Sequence, residues 1–87
     1  MEFEWDARKA ADNERKHGVP FSMATKAFRD PNRIEWTAEV RGESRWNTLC
    51  LVDGTELFVV YTIRLDAIRL ISARKATRHE RQVYWHG

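Results

Sequence analysis

The chain has 87 residues and a mass of 10.3 kDa, room for one small domain spanning 1–87, and a domain of that size buries only about 60–65% of its unfolded surface. Hydrophobic residues make up 43% and charged residues 32%, with a net charge of +2 and four Trp, four Phe and two Tyr, which is globular and too aromatic for a disordered tail. The single Cys50 excludes an internal disulfide framework and a cysteine zinc site, and the longest apolar run, Leu57 to Tyr61, falls far short of a membrane span.

Asp6 is a good N-cap for a helix running from Ala7 to about Lys16, with Gly18 placed to stop it and Pro20 beyond. The small residues Ala7, Ala10 and Ala11 give this helix a face that can lie close to a sheet. Ser22 is positioned to cap a second, short helix through Met23, Ala24, Ala27 and Phe28, ended by Pro31. The period then changes. Arg33 to Thr37 alternates around Ile34 and Trp36 as a short edge strand, followed by a polar stretch from Ala38 to Glu43. Ser44–Val52 and Thr55–Ile63 are β-rich runs joined by Asp53-Gly54, the strongest short-range hairpin signal. Ala67–Arg74 makes a fourth strand after a turn near Leu65-Asp66. Thr77 and Glu80 match a capping box opening a last helix that holds Tyr84 and Trp85. The expected class is α+β, in the order α-α-β-β-β-β-α, with an antiparallel four-stranded sheet packed against helices.

Two-residue turns fix the register, so Arg45 faces Thr62 and Thr62 faces Arg69, with Glu43 and Arg64 beside this row. The same face continues through Leu49, Phe58, Val60 and Ile71, and the opposite one, with Trp46, Cys50, Leu57, Val59, Tyr61, Ile68 and Leu70, is the face on which helices dock. In this register Arg69 and Arg74 point to opposite sides, so a site using both requires a bulge or a strand end. Neighbouring arginines on one face repel unless an anion sits between them. Either Glu43 supplies it, as a structural ion pair, or an incoming phosphate does.

Charge is also unevenly spread. Residues 1–63 carry nine Lys/Arg against eleven Asp/Glu, and residues 64–87 carry six against two, a cationic block that suits a polyanion or a solvated surface. Within it Arg74, Lys75 and Arg78 crowd the N-terminus of the last helix, where the dipole is already positive. That is either a phosphate site or a cluster neutralised by Glu80 and other acids. Tyr84 and Trp85 either stack on bases or meet a partner. His17, His79 and His86 lack metal-ligand spacing, His17 reads as buried or capping, and Cys50 reads as a small buried hydrophobe. No cofactor or metal is expected, and with no signal-like stretch near Met1 the expected location is cytoplasmic, without membrane contact.

Several strings then fall into a familiar order: Phe3-Glu4-Trp5-Asp6, Lys16-His17-Gly18-Val19 with Phe21, Phe28-Arg29-Asp30-Pro31, Tyr61-Thr62-Ile63-Arg64, and Arg69 through Ala76 with Glu80 and Tyr84. Together they resemble the BrnT family of bacterial type II toxins, over nearly the whole chain. The Ser44–Thr55 segment matches loosely, through Glu43-x-Arg45, and Trp46-Asn47 depart from the more apolar family pattern. The resemblance implies a RelE-like fold and a metal-independent ribonuclease that arrests translation. It also implies a BrnA-type ribbon-helix-helix antitoxin that blocks the toxin in a hetero-oligomer and alone brings it to operator DNA.

By the same resemblance the basic strand-end motif falls on Arg64, Ser72 and Arg74, and the acidic–x–Arg element on Glu43 and Arg45. Arg64 and Arg74 are then expected on the scissile phosphate, Arg45 assisting, Ser72 donating a hydrogen bond, and Glu43 acting as base or orienting Arg45. Arg69, Lys75, Arg78 and Tyr84 are expected to contact RNA. No residue has an evident general-acid role. The alternative is a non-enzymatic nucleic-acid-binding or antitoxin-docking module, and a third reading is a structural subunit whose cationic face meets an acidic partner.

Overall fold

The computed structural model describes residues 1–87. A short strand β1 (Glu2–Glu4) leads into α1 (Ala7–His17), α2 (Phe21–Ala24) and a 3-10 turn at Thr25–Arg29. Four strands follow, β2 (Ile34–Val40), β3 (Glu43–Val52), β4 (Thr55–Arg64) and β5 (Ala67–Lys75), and α3 (Arg78–His86) closes the chain. The strand order is β1-β5-β4-β3-β2.

The α+β class holds, but the sheet is five-stranded and mixed instead of four-stranded and antiparallel. β1 pairs parallel to β5, Phe3 opposite Ile68, and its three residues are too few to show a period in sequence. Two smaller corrections concern boundaries. Pro20, with φ at −69°, precedes the second helix and buried Phe21 begins it, so Ser22 lies inside and does not cap it. The polar stretch from Ala38 to Glu43 is mostly strand, because β2 and β3 run on to a two-residue turn at Arg41-Gly42, both at positive φ (54° and 79°). Such turns carry the twist that antiparallel strands need.

Asp6 caps α1 by accepting from the amides of Arg8 and Lys9, and Gly18 ends it in the left-handed region at φ 72°. The expected hairpin registers are found for β3–β4, and for the first half of β4–β5, where Thr62 faces Arg69. Then the register shifts. Tyr61 pairs with Leu70 but Val60 pairs with Ser72, leaving Ile71 unpaired in a β-bulge. Beyond it Arg74 pairs with Phe58, so Arg69, Ser72 and Arg74 share one face and the opposite-face expectation is corrected. The polar alternation in β5 carries the mark of this slip, moving from position 69 to positions 72 and 74 across the apolar pair Leu70-Ile71.

The core forms on the expected face, where Cys50, Val52, Leu57, Val59, Tyr61, Ile68, Leu70 and Ala73 pack against Val19, Phe21, Ala24 and Ala27. Where the outer strands run out, side chains take over the ladder. Past β1, the buried Asn13 of α1 donates to Ala73 O (2.8 Å) and accepts from Ala73 N (3.1 Å), while also donating to Val19 O. Past β2, the buried Asp30 accepts from Leu51 N (2.8 Å). These two side chains fix α1 and the 3-10 turn on opposite edges of the sheet.

Candidate functional site

At one corner of the sheet the N-terminal turn of α1, the start of β3, the end of β4 and the middle of β5 enclose a cavity of about 290 Å³. Lys9, Arg45, Arg64 and Arg69 line it, with Glu43 and Asp6 as the acidic members and Thr62, Leu70 and Ile71 completing the wall. Local structure explains each placement. Arg64 ends β4 just before Leu65-Asp66, a turn with both φ values positive (54° and 57°). Arg69 sits across from Thr62, whose hydroxyl donates to Ser44 O (2.9 Å) and ties β4 to β3 beside the cavity. The bulge turns Ile71 into the wall.

The cations differ in how much they are engaged. Arg45 Nε donates to Glu43 (3.1 Å), an exposed pair, and Arg69 stands 3.8 Å from Glu4, too far for a hydrogen bond. Arg64 and Lys9 pair with no carboxylate. Asp6 is committed to the helix: the Lys9 amide, with that of Arg8, holds its carboxyl below the usual range against a smaller opposing effect of burial. Four cations against two engaged carboxylates give the cavity a net positive lining, the charge that suits an anion.

A second cavity of about 270 Å³ adjoins the first and shares Lys9 and Ile71 with it. Its other walls are Asp12, Asn13, Lys16 and His17 of α1 and Ser72 of β5.

Thus Glu43, Arg45, Arg64 and Arg69 come together, and Ser72 lies next door. Arg74 does not join them. Its guanidinium makes a two-pronged pair with Glu80 (2.7 and 2.9 Å) and lies 4.3 Å over the Phe58 ring. It is five residues along β5 from Arg69, about 16 Å at the rise of a strand. The hydrogen bonds from Arg74 hold the Glu80 carboxyl down at about 2, and the same bonds raise Arg74. Glu80 also accepts from the Thr77 amide, so one carboxylate occupies the anion position at the start of α3. Lys75 and Arg78 are exposed outside both cavities. The Tyr84 hydroxyl, raised to about 12 by burial and by its bond to Asp30, fastens α3 to the 3-10 turn.

Sequence reasoning missed Lys9 and Asp6. A signal existed, since α1 has no acid in its first turn but carries Arg8 and Lys9 there, against the helix dipole. The same irregularity occurs at Arg78, the first residue of α3.

No helix is long and apolar enough to cross a membrane. A comparison with curated proteins finds no match. Against family models, residues 5–80 match one described as the ribonuclease toxin BrnT of a type II toxin-antitoxin system. That match takes in α1, the whole run from β2 to β5 and every residue lining the two cavities. The chain therefore belongs to the BrnT family of ribonuclease toxins, whose type II systems pair an RNA-targeting toxin with an antitoxin.

Proposed function

We propose that this protein is a metal-independent endoribonuclease that arrests translation by cutting RNA in the cavity lined by Lys9, Arg45, Arg64 and Arg69. The observation that carries this reading is the convergence of four cations from four elements, two of them unpaired, on one pocket of about 290 Å³.

The chemistry suits that lining. An RNA 2′-oxygen attacks its own neighbouring phosphorus, forming the 2′-O–P bond and a cyclic phosphate while the P–O5′ bond breaks. Arg64 and Arg69 balance the charge that builds on the phosphoryl oxygens, the largest single contribution such a site can make. Glu43, held by Arg45 at 3.1 Å, takes the 2′-hydroxyl proton. The 5′-oxygen leaves with a proton from Lys9 or water. A positioned proton-transfer group adds roughly 10²–10⁴-fold. A divalent cation would face a net positive wall here, with four cations against Glu43 and an Asp6 committed to backbone amides.

Arg74 is assigned a different part: it anchors α3 to β5 through Glu80. Ser72 supports the neighbouring cavity, and Lys75, Arg78 and Tyr84 lie outside the reaction. The partner is a BrnA-type ribbon-helix-helix antitoxin, acting in the cytoplasm as a hetero-oligomer that alone reaches operator DNA. Copurification with the product of the adjacent gene tests it.

The deciding experiment incubates the protein with total RNA, alone and with translating ribosomes, in excess EDTA, and identifies the new ends. Expected are 5′-hydroxyl and cyclic-phosphate termini, with the rate falling about 100-fold or more in Arg64→Ala. Folded Arg64→Ala protein cutting at the wild-type rate overturns the site. Binding without cleavage by wild type in both settings leaves the non-enzymatic module instead.

A further inference from the structure

We propose that the second cavity, on α1, is a separate phosphate subsite, so that the substrate is a single RNA strand lying across both cavities with successive phosphates in each. This rests on the reading of the first cavity as the cleavage site.

Three observations carry it. The cavities are contiguous, sharing Lys9 and Ile71, so an anionic chain can pass from one to the other without leaving the cationic wall. Lys9 and Lys16 are seven residues apart on α1, two helical turns and about 10 Å along one face, the spacing of a backbone track and not of a single anion. The donors are also free. Lys16, His17 and the Ser72 hydroxyl make no hydrogen bond or ion pair within the chain, whereas Asp12 is turned to Arg15 and Asn13 is spent on Ala73 and Val19.

The geometry also favours one strand over a duplex. Both hollows are small, with volumes of about 290 and 270 Å³, and lie between α1 and β5, the second of them broadly open to solvent. A small basic track of this kind follows a single flexible backbone. A rigid duplex instead presents its phosphates on a convex rim.

The test measures affinity by fluorescence anisotropy for labelled 2′-O-methyl RNA, which cannot be cleaved, as a random-sequence twelve-nucleotide strand and as a dinucleotide. Wild type, Lys16→Ala/His17→Ala and Arg64→Ala are compared over a range of salt, with thermal unfolding confirming the fold. Lys16→Gln/His17→Gln replaces the double alanine variant if that one unfolds. The double variant is expected to bind the long strand about 5- to 10-fold more weakly and with a shallower salt slope, as loss of phosphate contacts requires. Its loss on the dinucleotide is smaller, whereas Arg64→Ala weakens both probes alike.

An unchanged long-strand affinity in the double variant, with Arg64→Ala impaired, overturns the subsite and leaves the first cavity standing. Equal losses on both probes also overturn it, because Lys16 and His17 would then serve the first cavity. Unimpaired Arg64→Ala overturns the underlying reading instead.

Discussion

Two arginines of this chain show how burial and partners separate function from support. Arg64 is exposed, unpaired and at a cavity wall; Arg74 is one-third exposed, doubly bonded to Glu80 and stacked on Phe58. Arg74→Ala should therefore cost stability, about 1–2 kcal/mol from its charge-assisted bonds, while Arg64→Ala should leave the urea midpoint unchanged and remove cleavage. A reversed pattern, with Arg74→Ala stable and inactive, would return the reaction to the far end of β5. The turn after Arg64 offers a test of a different kind. Leu65 has φ at 54° and is 96% exposed, so it bears left-handed strain without packing in return. Such strain costs roughly 1–2 kcal/mol in an L-residue. Leu65→Asn, which suits the first position of this turn, should raise stability by about 1 kcal/mol and the melting temperature by roughly 4–8 °C. No rise in a thermal scan would mean the strain is absorbed elsewhere.

Elements were legible in sequence where their signals are local. Asp53-Gly54 announces its hairpin, and the Asp6 cap and the Thr77–Glu80 box mark helix starts that the structure keeps. Less visible was Arg41-Gly42, where only the glycine suits the turn, so the strand ends next to it, from Ala38 to Glu43, read as a polar stretch. The row Arg45–Thr62–Arg69 followed from turn arithmetic, and three cavity cations came with it. Lys9 could not follow in the same way, because its position depends on where α1 meets the sheet. That docking is set by one side chain, Asn13, whose amide replaces a missing strand partner for Ala73. Asn13→Ala should cost about 2–3 kcal/mol by leaving a buried amide and two carbonyls without partners. It should also loosen Lys9 and Ile71, the residues common to both cavities, and so reduce cleavage more than Lys9→Ala alone. Urea unfolding and rate measured together check this; a stability loss below a few tenths of a kcal/mol would show that α1 is held by its alanine face instead.

Across the whole molecule, three of the six cations beyond residue 63 divide into two populations, while Lys75, Arg78 and Arg81 stand outside both cavities. Arg64 and Arg69 join Lys9 and Arg45 around open space, and Arg74 is answered internally by one of the only two acids beyond residue 63. The internal half leaves a pH signature. Glu80 has its carboxyl depressed from 4.5 to about 2, chiefly by the Arg74 hydrogen bonds. Asp30 is also lowered: burial raises it, but donations from Tyr84, Leu51 and Asn32 together outweigh that effect. A carboxyl whose folded value lies below its unfolded value binds more protons unfolded, so stability rises with pH through the interval. The contribution of Glu80 is complete above about 4.5 and is lost as pH falls toward about 2. For a bridge this accessible to solvent it amounts to about 1–2 kcal/mol. Glu80→Gln should thus be less stable than wild type by about that amount at pH 7, and the gap should close between pH 4.5 and 2. Urea midpoints at four or five pH values read this directly. Two curves that stay parallel down to pH 2 would show that the Arg74–Glu80 bridge is idle in solution, which would free Arg74 for an anionic ligand and remove the reason for confining the reaction to the corner cavity.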